Sequence, residues 1–153
     1  MSVPLPIPHL PYKEQDTLVL LTMVLWGEAR NQTHEGLTGV AWVIRNRVLD
    51  AKERFGHDWK SVILKPKQFS CLNPDDPQAA MMLYPQRYST PEIWRRCAEV
   101  AEGVFRGDLA DPTSGANHYY TVRRPRWAKA WPPRWAGSMT KTVVLGDHQF
   151  LRV

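Results

Sequence analysis

Apolar and polar positions divide the chain into helical stretches, one long irregular stretch and a set of short strands. Leu18, Leu21, Leu25 and Glu28 fall at i, i+3, i+7 and i+10, one stripe of a helix, which predicts a first helix from about Lys13 to Arg30. Glu14 and Asp16 suit its positive N-terminal end. Leu37, Val40, Ile44 and Val48 supply the apolar face of a second helix, predicted from about His34 to Arg54 with Thr33 as its N-cap. Residues 55–89 show one short apolar piece, Val62 to Leu64, among Pro66, Pro74, Pro77 and Pro85. An irregular segment of that length inside a compact domain is more often functional than idle. Thr90-Pro91-Glu92 is a helix start, a cap followed by proline at the first helical position. Ile93, Cys97, Val100, Ala101 and Val104 continue that stripe until Gly107. The remainder reads as loops and short strands, with Lys141 to Leu145 and His148 to Val153 flanking Gly146-Asp147 as a hairpin. Residues 1–11, with Pro4, Pro6, Pro8 and Pro11, read as an extended arm. That leaves residues 12–153 as one domain of the α+β class, mainly α.

Composition narrows the classes. At 153 residues the chain holds one domain with a real core. Its 43% hydrophobic and 23% charged content excludes disorder and fibrous repeats. The longest apolar run, Leu18 to Trp26, covers 9 residues with Thr22 inside it, where a membrane-crossing helix needs roughly twenty; no stable membrane insertion is expected. Twenty Lys plus Arg against 15 Asp plus Glu leave a net charge of +5. That basic balance points to a polyanionic partner, nucleic acid or an anionic wall polymer. Met1 to Tyr12 contains no Lys or Arg and is broken by prolines, unlike a secretory signal. The expectation is a cytoplasmically made protein with free thiols at Cys71 and Cys97.

Three groups are candidates for chemistry. Glu28 shares a stripe with Leu21 and Leu25. A carboxyl on an apolar face is desolvated, which raises its pKa, and glycosidases tune a general acid in this way from roughly 4.3 to about 6. The competing reading turns Glu28 to solvent at the helix end or pairs it with Arg30. The second group is Tyr119, Tyr120, Trp127, Trp131 and Trp135, interleaved with Arg123, Arg124, Arg126, Lys129 and Arg134. Flat aromatic faces stack on sugars and on nucleobases alike, and Arg and Lys meet carboxylates or phosphates. Core tryptophans beside a solvated basic loop give the same pattern. The third group is His34, His57, His118 and His148. None has the spacing of a zinc hydrolase, and no nucleophile elbow or phosphate-cradling loop is present. No cofactor and no metal is expected.

The run Gly27-Glu28-Ala29-Arg30, then Glu35-Gly36 and Val40-Ala41-Trp42-Val43-Ile44-Arg45-Asn46-Arg47-Val48, resembles the start of the spore-cortex-lytic (SleB-like) cell-wall hydrolases. Further matches follow in that family's order: Gln68-Phe69-Ser70, Asp111-Pro112-Thr113 with Gly115-Ala116, His118-Tyr119, Pro133-Arg134-Trp135-Ala136, and Leu145-Gly146-Asp147-His148-Gln149-Phe150. Together they span about residues 17–151. The resemblance implies a lysozyme-like domain over 12–153 with a small β-hairpin region near its end. The implied activity is cleavage of peptidoglycan between N-acetylmuramic acid and N-acetylglucosamine, by lytic transglycosylation with Glu28 as acid and base. Muramidase-type hydrolysis of the same bond is the alternative within that class, and a basic nucleic-acid-binding module is the alternative outside it. Gln68, Phe69, Ser70, Asn117, His118 and Tyr119 become expected substrate-binding residues, joined by Trp127 and Trp131 from the aromatic stretch. The expected partner is a peptidoglycan glycan strand, met by a monomer, with no nucleic acid involved. A bare catalytic domain of this kind, made in the cytoplasm and acting on the wall, resembles a phage endolysin; a bacterial wall enzyme without its leader is the alternative.

Two departures stand out. The family reads Glu-Ala-Arg-Gly-Glu where this chain has Glu28-Ala29-Arg30-Asn31-Gln32, so a second carboxylate is replaced by Gln32. Val122 to Trp131 is longer than the family's usual pattern, which would widen or cover the cleft. One carboxylate suffices for a transglycosylase, whereas ordinary glycosidases use two. Asp75, Asp76, Asp108, Asp111 and Asp147 all lie in turns or loops that explain them without catalysis.

Overall fold

The structure is a computed structural model and describes residues 3–153; Met1 and Ser2 of the expected arm lie outside the described residues. Helix α1 spans Thr17–Ala29, preceded by a 3-10 turn over Tyr12–Glu14. Its start falls later than the apolar pattern predicts because Asp16 is the N-cap, its carboxylate accepting from the Leu18 and Val19 amides at 3.0 and 3.3 Å. The single-stripe reading also changes: every residue from Val19 to Gly27 is buried, so α1 is apolar all round and forms the centre of the domain.

Helix α2 spans His34–Val48 with Thr33 as its cap, the Gly36 amide donating to Thr33 Oγ1 at 3.2 Å. It stops at Val48, short of the expected Arg54. Leu49 closes it, and the chain turns through Glu53 at φ 51°. Helix α3 is a five-residue piece, Trp59–Ile63, held by a capping box between Asp58 and Ser61. Helix α4 spans Pro91–Arg106 and ends on Gly107 at φ 81°, a left-handed position that favours glycine. Thr90 is the N-cap by position, but its side chain makes no capping bond. Helices α1, α2 and α4 pack on one another, and Phe150 closes their core.

Strands β1 (His118–Thr121), β2 (Thr140–Leu145) and β3 (His148–Arg152) form an antiparallel sheet in the order β1-β3-β2. The expected β2–β3 hairpin is present, with Leu145 opposite His148 and an irregularity between Lys141 and Val143. Tyr119 stands opposite Phe150 and Tyr120 opposite Gln149, so alternate residues of β1 face the helices and the C-terminal loops. Phe150 inserts against α2 at Gly39, where an added Cβ would stand 2.7 Å from its ring. On the other face, Tyr120, Ala136 and Leu151 form a second small cluster, with Trp131 packed on it.

Residues 3–11 lie against the domain. Gln15 is buried and clamps the segment, accepting from the Ile7 amide and donating to the Ile7 and Leu10 carbonyls. Val3 is buried, and its carbonyl accepts from Trp94 Nε1. Cys71 and Cys97 are buried and unbridged. Among the described residues no helix is long and apolar enough to cross a membrane.

Candidate active site

Glu28 lies in the last turn of α1, the point at which the buried helix reaches the surface. The helix packs so closely here that a Cβ on Gly27 would stand 2.8 Å from Cys71 Cβ and from Met82 Sδ. Glycine at 27 lets the 69–72 turn lie against α1 and fixes the place of the neighbouring carboxylate. Glu28 makes no ion pair among the described residues. Arg30, its expected alternative partner, folds back over the Trp26 ring at 4.2 Å and donates to the Trp26 carbonyl and to Gln78 Oε1. Burial raises the Glu28 pKa from 4.5 to about 7, the negative charge of Asp76 adds to the rise, and the Ser70 backbone amide pulls the other way.

A cleft of about 670 Å³ opens over Glu28. Its walls bring together Gln68, Phe69, Ser70, His118, Tyr119, Trp127 and Trp131, seven of the eight residues expected to bind substrate, with Trp135, Arg47, Lys67 and Thr121. Asn117, the eighth, does not line it. That residue is buried behind β1, where its Oδ1 accepts from the Val153 amide at 3.2 Å and faces His118 Nδ1 at 2.8 Å. Phe69 is largely buried as well and gives the cleft part of its floor. A smaller hollow, lined by Gly27 to Asn31 and Gln78, also reaches Glu28. An adjoining groove of about 570 Å³ shares Lys67 and Phe69 with the cleft.

Glu28 is the one carboxylic acid among the described residues that line the cleft. Gln32 is spent elsewhere. It is buried, its Nε2 donates to Asp147 Oδ2, and its Oε1 accepts from the Asp147 amide, which ties the β2–β3 turn to the end of α1. Asp111 is consumed by its own turn, accepting from the Thr113 and Gly115 amides and from Asn46. Asp76 is the nearest acid by its effect on Glu28, and its Oδ1 accepts from the Gln78 amide.

The state of His118 follows from its neighbours. An amide N–H can donate only to oxygen, so the Val153 contact fixes which end of the Asn117 side chain is Oδ1, and His118 Nδ1 must then carry the proton. Burial, with the positive charges of Arg47 and Arg54, lowers the His118 pKa to about 4. Above that pH the ring is neutral, with Nε2 left as an acceptor, and it is held between Phe55 and Trp135 with centroids 5.5 Å from each. His148 is on the opposite face of the sheet, against Tyr119 and Phe150, so the two histidines do not form a pair.

Arg47 is the principal cleft residue not singled out from the sequence. It is buried, donates from Nε to the Asn117 carbonyl at 2.8 Å and from Nη1 to Gln68 Oε1 at 3.0 Å, and lies over Phe55 and Phe69. No carboxylate pairs with it among the described residues. A sequence signal existed: Val40, Ile44 and Arg47 share one helix face, and a cation on an apolar face needs a reason. Burial raises the Tyr119 pKa well above 10; the Glu28 charge adds to the rise and Arg47 opposes it, so the phenol keeps its proton. Among the described residues no three His, Cys, Asp or Glu stand together as a metal site would require.

An acid raised toward neutrality, at the end of a buried helix and facing an aromatic cleft, is placed to act as a general acid. A family model described as cell wall hydrolase matches residues 31–151. The chain belongs to the cell wall hydrolase family. The match begins just after Glu28, so the reading of that residue rests on its geometry. Among curated proteins, none matches the chain. Two solved structures resemble this hydrolase in fold. The catalytic domain of the germination-specific lytic transglycosylase SleB from Bacillus anthracis is 24% identical, with TM-score 0.62, over 89% of this chain and 93% of that one. The catalytic domain of the Bacillus cereus SleB protein is 23% identical, with TM-score 0.62, over 89% of each chain.

Proposed function

We propose that this cell wall hydrolase cleaves peptidoglycan glycan strands between N-acetylmuramic acid and N-acetylglucosamine by lytic transglycosylation. The observation that carries the reading is Glu28, a carboxylic acid held near pKa 7 and, among the described residues, alone of its kind on the cleft wall. In its protonated form it gives a proton to the glycosidic oxygen as the bond from the muramyl anomeric carbon to that oxygen breaks. The resulting carboxylate then takes the proton of the same sugar's 6-hydroxyl as that oxygen bonds to the anomeric carbon. The product is a 1,6-anhydro sugar; the acid is regenerated and no water is consumed. Seating the 6-hydroxyl close to the carbon replaces a two-body encounter by an intramolecular step. The same fold in two SleB catalytic domains, one of them from a germination-specific lytic transglycosylase, supports the choice.

The cleft suits the chemistry around that acid. Tryptophan faces at 127, 131 and 135 offer stacking surfaces for pyranose rings. Gln68, oriented by Arg47, and the Tyr119 hydroxyl present polar atoms for the N-acetyl groups. His118 Nε2 offers an acceptor for a sugar hydroxyl or amide.

Mass spectrometry of digested sacculi tests the reaction. Anhydro-muramyl ends are the expected product. Reducing ends heavier by one water, without anhydro species, would replace transglycosylation by hydrolysis and make Asp76 the first acid to examine as base. Absence of any glycan fragment, together with salt-sensitive binding to DNA or RNA, would replace the enzyme reading by a nucleic-acid-binding one.

A further inference from the structure

Residues 122–135 carry five cations, Arg123, Arg124, Arg126, Lys129 and Arg134, and no acid. All five are exposed, and the ion pairs among the described residues lie elsewhere, at Asp50–Arg54, His57–Asp58 and Glu102–Arg106. The segment is pinned in place. Trp131 Nε1 donates to the Thr121 carbonyl at 2.8 Å, Ala128 is buried, and the Trp131 ring stands edge-on to Tyr120 and to Trp127. At its tip Trp127 is 80% exposed. Holding unpaired like charges and a bare indole together on a fixed loop is unfavourable in isolation, which calls for an anionic partner with a surface to stack on.

The position of the segment selects among anionic partners. Pro125, Trp127 and Trp131 belong to the wall of the cleft that holds Glu28. A strand seated on Glu28 therefore passes beneath this rim, and inside the cleft it meets Arg47 and Lys67 as well. A neutral polysaccharide gives these cations nothing to bind. Glycan strands of the wall acquire anionic charge from the carboxylates of the short peptides attached to their muramyl units. We propose that Arg123, Arg124, Arg126 and Lys129 form a carboxylate-binding rim that selects strands still bearing their anionic stem peptides, with Trp127 as its stacking platform. The proposal rests on the peptidoglycan reading given above.

The test uses sacculi free of accessory polymers, either intact or with their carboxylates converted to neutral amides by carbodiimide and ethanolamine, which leaves the glycan unchanged. Cosedimentation of the Glu28→Gln protein reads binding without cleavage. Amidation is expected to weaken binding by about tenfold, since several exposed charge pairs each contribute a little, and added salt should weaken binding to intact sacculi alone. Changing Arg123, Arg124, Arg126 and Lys129 together to Gln should give, on both kinds of sacculi, the weak binding of the parent to amidated ones. Equal binding of the parent to intact and amidated sacculi overturns the proposal, with no need of the quadruple variant. So does an undiminished preference for intact sacculi in that variant, or in the pair Arg123→Gln and Arg124→Gln should the fourfold change impair folding. Rim-dependent binding to anionic phospholipid vesicles, with indifference to amidation, would assign the rim to a membrane surface instead. Release of glycan fragments by the unaltered enzyme is scored separately, so that failure of the cleavage reading is distinct from failure of the rim.

Discussion

The two sides of Glu28 are built by different physics. Behind it, α1 is buried on every face and locked by α2, α4 and the 69–72 turn, with Cys71 and Met82 closed tightly onto Gly27. In front of it, the cleft is framed by segments of little regular structure, residues 65–70 and 122–135, pinned by scattered hydrogen bonds and edge-on aromatic contacts rather than by a packed core. The packed side fixes where the acid stands and keeps water from it, which sets its pKa. The open side supplies recognition, through exposed rings and cations carried on loops that the packed scaffold positions. Substitutions on the two sides should therefore fail differently: in proton transfer or stability behind Glu28, in substrate binding in front of it.

The largest effect is expected at the boundary itself. Glu28→Gln keeps the shape of the side chain and removes the transferable proton, so wall clearing should fall by roughly a hundredfold to ten-thousandfold with the circular dichroism spectrum unchanged. Clearing within a few fold of the parent would remove the acid from its assigned role.

Behind the acid, Gly27→Ala forces a methyl group into a space 2.8 Å from Cys71 and Met82. Overpacking of that kind costs about 1–3 kcal/mol. A lowered Tm is expected together with lowered activity, because the displaced turn carries the Ser70 amide that faces Glu28. An unchanged Tm would mean that the contact yields freely and that the two sides differ less than proposed.

The pH dependence separates burial from charge. With Glu28 titrating near 7, activity that needs its proton should decline as pH rises through about 7. Its folded pKa lies above its unfolded value of 4.5, so the native state holds a proton that the unfolded chain releases between those values. Stability from this group is therefore greatest below about 4.5 and declines up to about 7, by on the order of 3 kcal/mol. Chemical denaturation of the Glu28→Gln protein across that range should lack this slope. A slope of the same size in both proteins would assign it to other groups.

In front of the acid, Trp127→Ala removes a ring that is 80% exposed. Stacking on a sugar contributes about 0.5–1.5 kcal/mol beyond area, so binding to sacculi should weaken several fold while Tm stays constant. A drop in Tm without a drop in binding would make Trp127 a structural residue. The smallest effect is expected from Asp76→Asn. It keeps an acceptor for the Gln78 amide and removes the charge that helps raise Glu28, so the alkaline limb of activity should move to lower pH. An unmoved limb would leave burial alone as the cause.

The same division separates what could be read from the sequence and what could not. The helices around the core were legible because apolar periodicity, Thr33, Thr90-Pro91 and Gly107 are local signals. The ends of α1 and α2 were not legible, because whether Asp16 caps α1 and where Leu49 closes α2 depend on competition between local bonds and packing. Glu28 was legible as a carboxyl on an apolar helix. Its freedom from Arg30 was not, because that cation is drawn away by Trp26 and Gln78, and Gln78 is 48 residues further along the chain. Asn117 was expected in the cleft on the strength of a motif, yet its polar atoms are turned to His118 and Val153. Arg47 was visible as part of a motif, but its place in the cleft depends on Gln68 and Asn117 meeting it from two distant segments.

By itself, then, the sequence determined the identities that chemistry needs: one acid at the end of an apolar helix, an aromatic and basic stretch, and the spacing of a cell wall hydrolase. Tertiary structure alone decided that these meet. Desolvation of Glu28 is a property of what distant segments pack around it, among them Cys71 and Tyr119. The tautomer of His118 is set by the last residue of the chain through Asn117, and no local pattern carries a hydrogen bond that closes only when β1 and β3 pair.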